Sequence, residues 1–142
     1  MAFAAPNPPE TFSPLFQFAD ADLIIRSADN VKFQVHKNLM RIASRVFRDM
    51  LTLDDISTAP AALQPVVDVK ESGNWVDAML RYIYPLPRPS IKDLRAIKPL
   101  LIIADKYDIP NIFTAVEDHL LLAPIAESYP VETYLLAKRY GL

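Results

Sequence analysis

The 142-residue chain has no cysteine, only two glycines and only two histidines, and each scarcity removes a class of chemistry. Without cysteine there are no disulfides and no thiolate metal sites, which fits a reducing compartment, cytosol or nucleus. Gly73 and Gly141 do not make a glycine-rich phosphate loop of the dinucleotide or Walker type. His36 and His119 are the only candidate bases for a classical nucleophilic site, and neither has convincing company. A net charge of -2 gives no general attraction to phosphate backbones, so no direct nucleic-acid binding is expected. The longest uncharged apolar run, Leu100 to Ala104, is far short of the roughly 20 residues of a membrane span. Residues 1–19 lack a basic start and contain Pro6, Pro8, Pro9 and Pro14, so they read as an extended arm and not a signal peptide.

What the chain does have is apolar content, 51% of residues, enough for one core and one domain. The stretch from Asp22 to Met50 is the most informative. Leu23, Ile25, Val31, Phe33 and Val35 alternate with more polar neighbours on either side of Ala28-Asp29-Asn30, the pattern of a half-buried hairpin with a polar turn. After His36 the apolar residues Leu39, Met40, Ile42, Ala43, Val46, Phe47, Met50 and Leu51 recur at three and four, which predicts a wide helical face. Ser44 is placed to cap a second helix after a short first one.

Further on, residues 54–65 read as a surface loop and Val66, Val67 and Val69 as a short strand. Trp75, Met79, Tyr82 and Ile83 predict an amphipathic helix stopped by Pro85, Pro87 and Pro89. Another helical pattern starts at Asp93, with Pro99 expected to kink or split it. A helix follows over 110–122, its first turn suited to Pro110, and a last one runs from Val131 to Tyr140 with Gly141 as its cap. Strands and helices in mixed order, without regular alternation, give the α+β class.

Several blocks together resemble the BTB/POZ domain family, in particular its fungal members. They are Asp22-Leu-Ile-Ile-Arg-Ser, Val31 to Val35 with His36-Lys37, Leu39, Ser44 and Phe47, then Leu80-Arg81-Tyr82-Ile83-Tyr84, Ala104 to Asp108, and Glu117 with Leu120. The resemblance runs from about residue 20 to the end, dividing the chain into an arm, 1–19, and a domain, 20–142. It implies a helical cluster with helical hairpins, capped by a small three-stranded β-sheet, that binds proteins and catalyses nothing; no cofactor or metal is expected.

Four departures from the family pattern stand out. The long helix that precedes the first strand in many swapped dimers is replaced by a proline-rich arm. Asp occupies the Glu position of a cullin-recruiting element at Phe47-Arg48-Asp49 and Leu53-Asp54-Asp55. Val116 stands where cysteine is common, and Pro85 replaces a small turn residue.

The resemblance also supplies the site expectations. Asp22 and Lys37 are expected to form a charged pocket near a dimer centre. A homodimer or other self-association is expected through Phe12, Leu15, Phe16 and Phe18 of the arm and Leu39, Met40, Phe47, Met50 and Leu51 of the first two helices. The alternative partner is a cullin-type ubiquitin-ligase scaffold, met by Phe47, Asp49, Leu53, Asp54 and Asp55. A small hydrolase built on His36 or His119 is the reading from another class. Lys37, Arg41, Arg45 and Arg48 read as solvated helix surface, split near Ser44. Glu117 and His119 point to different sides of a helix and do not converge on one ion. Asp105, Lys106 and Asp108 read as a helix end and not as a catalytic carboxylate pair.

Overall fold

The computed structural model describes residues 11–56, 65–89, 94–122 and 130–141. The hairpin comes first in explanation. Strands β2 (Leu23–Arg26) and β3 (Val31–Val35) pair antiparallel with Ile25 opposite Phe33. The turn between them is closed from inside by Ser27, whose Oγ accepts the Val31 amide at 2.9 Å and donates to Asp29 Oδ1 at 2.5 Å. Asn30 takes the left-handed conformation there, φ 66°, which an asparagine tolerates better than most residues. Leu23, Ile25, Phe33 and Val35 are fully or almost fully buried, as the alternation predicts.

The sheet has four strands where the family resemblance implies three, in the order β1-β3-β2-β4. Strand β4 (Val66–Asp68) lies parallel to β2, and β1 (Thr11–Gln17) lies parallel to β3. Residues 11–17, expected within the arm, are therefore an edge strand of the domain's own sheet. The strand escapes period-two reading because its register with β3 shifts between Phe12 and Gln17. Ser13 and Phe16 are the residues it buries, three apart. Pro14 is compatible with an edge strand, where an amide can be spared.

Helix α1 (Lys37–Ala43) leaves β3 directly, and α2 (Arg45–Ile56) follows across Ser44 alone. Ser44 is fully buried and does two jobs: its Oγ accepts the Phe47 amide at 3.1 Å, capping α2, and donates to the Tyr107 carbonyl at 2.5 Å. The predicted cap thus also ties α2 to Tyr107, far along the chain. Helices α3 (Gly73–Ile83), α4 (Leu94–Tyr107), α5 (Pro110–Leu122) and α6 (Pro130–Tyr140) complete the cluster. Helix α4 runs unbroken past Pro99, so the expected split does not occur. Gly141 follows α6 with φ +70°, the left-handed cap that glycine favours.

Gly73 marks a close approach. A Cβ there would lie 2.8 Å from Val31 Cγ2, and its amide donates to Asp29 Oδ1 at 2.7 Å, so the hairpin turn caps α3. One core joins Phe16, Ile25 and Phe33 of the sheet to Met40, Phe47, Leu80 and Leu101 of the helices. Each such side chain contributes about 1.5–3 kcal/mol by leaving water.

At the far end of the sheet Glu71 accepts from Lys106 Nζ at 2.9 Å and from the Tyr107 hydroxyl, joining the segment after β4 to α4. Burial alone would raise the Glu71 pKa, but the Tyr107 and Lys106 hydrogen bonds outweigh it and hold the carboxyl below its ordinary 4.5. Burial and the Glu71 carboxylate together push the Tyr107 phenol up. A carboxyl with a depressed folded pKa contributes stability that is complete above its unfolded pKa and is lost as pH falls through the folded one. Between roughly pH 5 and pH 3, urea titrations are expected to show a steeper stability loss for the native chain than for Glu71→Gln. Parallel curves would remove this carboxylate from the acid response.

Candidate interaction site

Two junctions gather the residues singled out in the sequence, the β1–β2 connection and the β3–α1 corner. The Tyr84 hydroxyl, at the end of α3, accepts the His36 backbone amide at 2.9 Å and lies 2.8 Å from His36 Nδ1. His36 Nε2 lies 2.7 Å from Asp20 Oδ1. A neutral imidazole satisfies every partner, with the Tyr84 O–H donating to Nδ1 and Nε2–H donating to Asp20. The hydrogen bond from His36 holds the exposed Asp20 carboxyl below its usual range. Burial pushes the Tyr84 phenol up to about 12.

The order Asp20–His36–Tyr84 superficially resembles a catalytic relay, but its chemistry is that of a brace. Tyr84 is 6% exposed, its oxygen already receives an amide, and at its raised pKa it stays protonated at neutral pH. Phe18 stacks on the Tyr84 ring at 5.2 Å with a 5° interplanar angle and contacts His36 at 5.0 Å. Phe16 meets Tyr84 edge-on at 5.5 Å. The end of β1 and the segment leading to β2 are thereby fixed against the helix cluster.

Asp22 and Lys37 are adjacent, but not as an ion pair. Asp22 Oδ1 accepts the backbone amide of Lys37 at 2.7 Å, and no ion pair joins the two side chains among the described residues. His36, in the N-cap position of α1, makes no side-chain cap. Asp22, immediately before β2, therefore caps α1, placing its charge at the positive end of the helix.

The expected interface residues separate sharply. Phe16, Met40, Phe47 and Leu51 are each 0% exposed; they are core, because β1 turns Phe16 inward and α1 and α2 turn Met40, Phe47 and Leu51 into the same cluster. Phe18, Leu39 and Met50 are half-buried against that core. Phe12 and Leu15, at 37% and 44%, remain exposed on β1. Ile42, at 84% on α1, is the most exposed large apolar side chain among the described residues, and sequence spacing alone had placed it on the helical face with the others. Of the expected cullin-facing set, Asp49 and Leu53 lie exposed on α2, Phe47 is internal, and the side chains of Asp54 and Asp55 lie outside the described residues.

The basic residues are split as expected, with Arg45 and Arg48 exposed on α2 and Lys37 and Arg41 half-buried on α1. Lys106 of the Asp105–Asp108 group pairs with Glu71. Asp108 adopts φ 49° just beyond α4, and its carbonyl accepts the Arg45 amide at 3.3 Å. His119 keeps a buried Nε2 without a partner among the described residues. No three metal-ligating side chains cluster among the described residues. No helix among them is long and apolar enough to cross a membrane.

Comparison with family models gives a BTB/POZ domain match over residues 12–122, most of the chain, including most of β1. The chain belongs to the BTB/POZ family. No curated protein matches the chain. BTB/POZ domains are non-enzymatic protein-interaction modules, which agrees with a His36 committed to the fold. For this BTB/POZ domain the capping role of Asp22 is directly measurable. Asp22→Ala is expected to cost about 0.5–2 kcal/mol, the price of a lost cap, while Lys37→Met stays within about 0.5 kcal/mol. Urea midpoints decide it, since an ion pair would give matched losses in the two variants.

Proposed function

We propose that this BTB/POZ domain associates with a second copy of itself through the outer side of β1 and the exposed part of α1. The observation that carries the reading is an edge strand that keeps Phe12 and Leu15 in solvent, 37% and 44% exposed. Single exposed apolar residues are ordinary, but two on one edge strand, with Ile42 on α1, supply the apolar anchors that interfaces are built around. Phe18, Leu39 and Met50 are half-buried against the core, and Phe16, Met40, Phe47 and Leu51 lie within it. The cysteine-free composition favours a reducing compartment, cytosol or nucleus.

Light scattering across a concentration series is expected to give a mass rising toward twice the 16.0 kDa of the chain. Leu15→Asp is expected to weaken association at least tenfold, about 1.4 kcal/mol, with an unchanged melting temperature because the side chain is exposed. A strictly monomeric native chain at high micromolar concentration overturns the proposal.

The second reading, an adaptor for a cullin-type scaffold, is favoured by Leu53, 70% exposed on the same helix as the exposed Asp49. It predicts direct capture by a purified cullin N-terminal domain and loss of capture on Leu53→Arg. Failure of the native chain to bind removes it and leaves self-association untouched.

A further inference from the structure

Helix α6 lies beyond the residues matched to the family, 12–122, and its two sides differ. The inner side carries Ala137 and Tyr140, both half-buried, with the Tyr140 ring 6.1 Å from that of Phe113 on α5. The outer side carries Val131, Tyr134 and Leu135, which are 64%, 62% and 57% exposed. Their spacing of three and four sets them in one stripe along the helix. A lone apolar side chain in water is ordinary, but a contiguous row marks a surface that something covers.

The same stripe ends in charge. Lys138 and Arg139 stand one turn beyond Tyr134 and Leu135, exposed in the last turn of the helix. Cations are favourable there in themselves, because they face the negative end of the helix dipole. The outer side of α6 is therefore apolar at its start and positive at its finish, and that polarity dictates what can lie against it.

We propose that this side of α6 receives a helix of a protein partner, running antiparallel to it, with Asp or Glu in its first turn and apolar residues at three and four beyond. Carboxylates are favoured in the first turn of a helix, and antiparallel packing sets the partner's first turn beside Lys138 and Arg139. The partner's apolar anchors then cover Leu135, Tyr134 and Val131. A parallel partner would bring its own carbonyl end, and the cations favoured at that end, against the same two charges. Lipid is a poorer match, since its binding scales with buried apolar area and three side chains offer little. The surface shares no residue with the β1 and α1 anchors of self-association, so each stands without the other.

The test is an amide NMR titration of the full chain with the peptide acetyl-Ser-Glu-Glu-Leu-Ala-Gln-Leu-Leu-Ala-Gln-Leu-Ala-Gln-Leu-amide. A counterpart with glutamine for both glutamates runs in parallel. Saturable shifts are expected at the Tyr134, Leu135 and Lys138 amides with a dissociation constant on the order of 0.1 mM. The uncharged peptide is expected to bind at least about threefold weaker, with the gap closing in about 0.5 M salt. Leu135→Asp is expected to abolish binding, and Lys138→Gln with Arg139→Gln to give both peptides the same affinity. Neither change is expected to move the melting temperature, because the side chains are exposed. The proposal is overturned if the acidic peptide gives no saturable shifts on α6, if the two peptides bind the native chain equally, or if Leu135→Asp binds as the native chain does. If Leu135→Asp halves the mass of the native chain in solution, the occupant is a second copy; if it abolishes sedimentation with phosphatidylserine vesicles, the occupant is lipid. Either result overturns the assignment to a protein partner.

Discussion

The Tyr84 hydroxyl is the point on which the rest of this domain depends. It lies at the end of α3, receives the amide that begins the β3–α1 corner, and contacts the ring of the histidine at that corner. Two parts of the chain far apart in sequence thus meet at one oxygen. A buried hydroxyl serving two partners is expensive to replace, because each partner left alone carries its own desolvation cost. The aromatic rings of Phe16 and Phe18 pack against the same residue, so the polar contact fixes position and the rings supply buried area.

The same economy of anchoring recurs elsewhere. Ser44 caps α2 and holds the end of α4; Asp29 closes the hairpin turn and caps α3; Asp22, just before β2, caps α1. In each case a short polar side chain satisfies a helix terminus from a different element, so secondary structure and tertiary placement form together. A helix start that needs a residue from another strand is stable only in the assembled domain.

Much of this was legible in the sequence, and the limits have physical causes. The β2–β3 hairpin and the helices were readable because one face of each is wet and one is dry, which imprints a period. Strand β1 was not, because a register shift spaces its buried residues Ser13 and Phe16 three apart and Pro14 masks the pattern. The cap from Asp22 was hidden for another reason: its partner amide lies fifteen residues away, and cap signals in sequence are local. Periodicity also names the residues that leave water without saying what covers them. Phe16, Met40, Phe47 and Leu51 were expected at a partner's surface and are covered by the chain itself, while Phe12, Leu15 and Ile42 stay wet. The hollow between β1, the β2–β3 turn and α3 has no sequence signature, since it joins residues from three separate elements.

The two borders of the sheet carry a consequence for how large any assembly grows. An unprotected strand border invites stacking without end, toward fibrils. On one side β1 interrupts its row of amides with Pro14; on the other, β4 is three residues long and its Asp68 is engaged by Arg26 at 2.5 Å. Neither border offers an uninterrupted ladder to an incoming chain. Both borders therefore resist strand-to-strand addition, and the apolar side chains on β1 can be displayed without seeding a polymer.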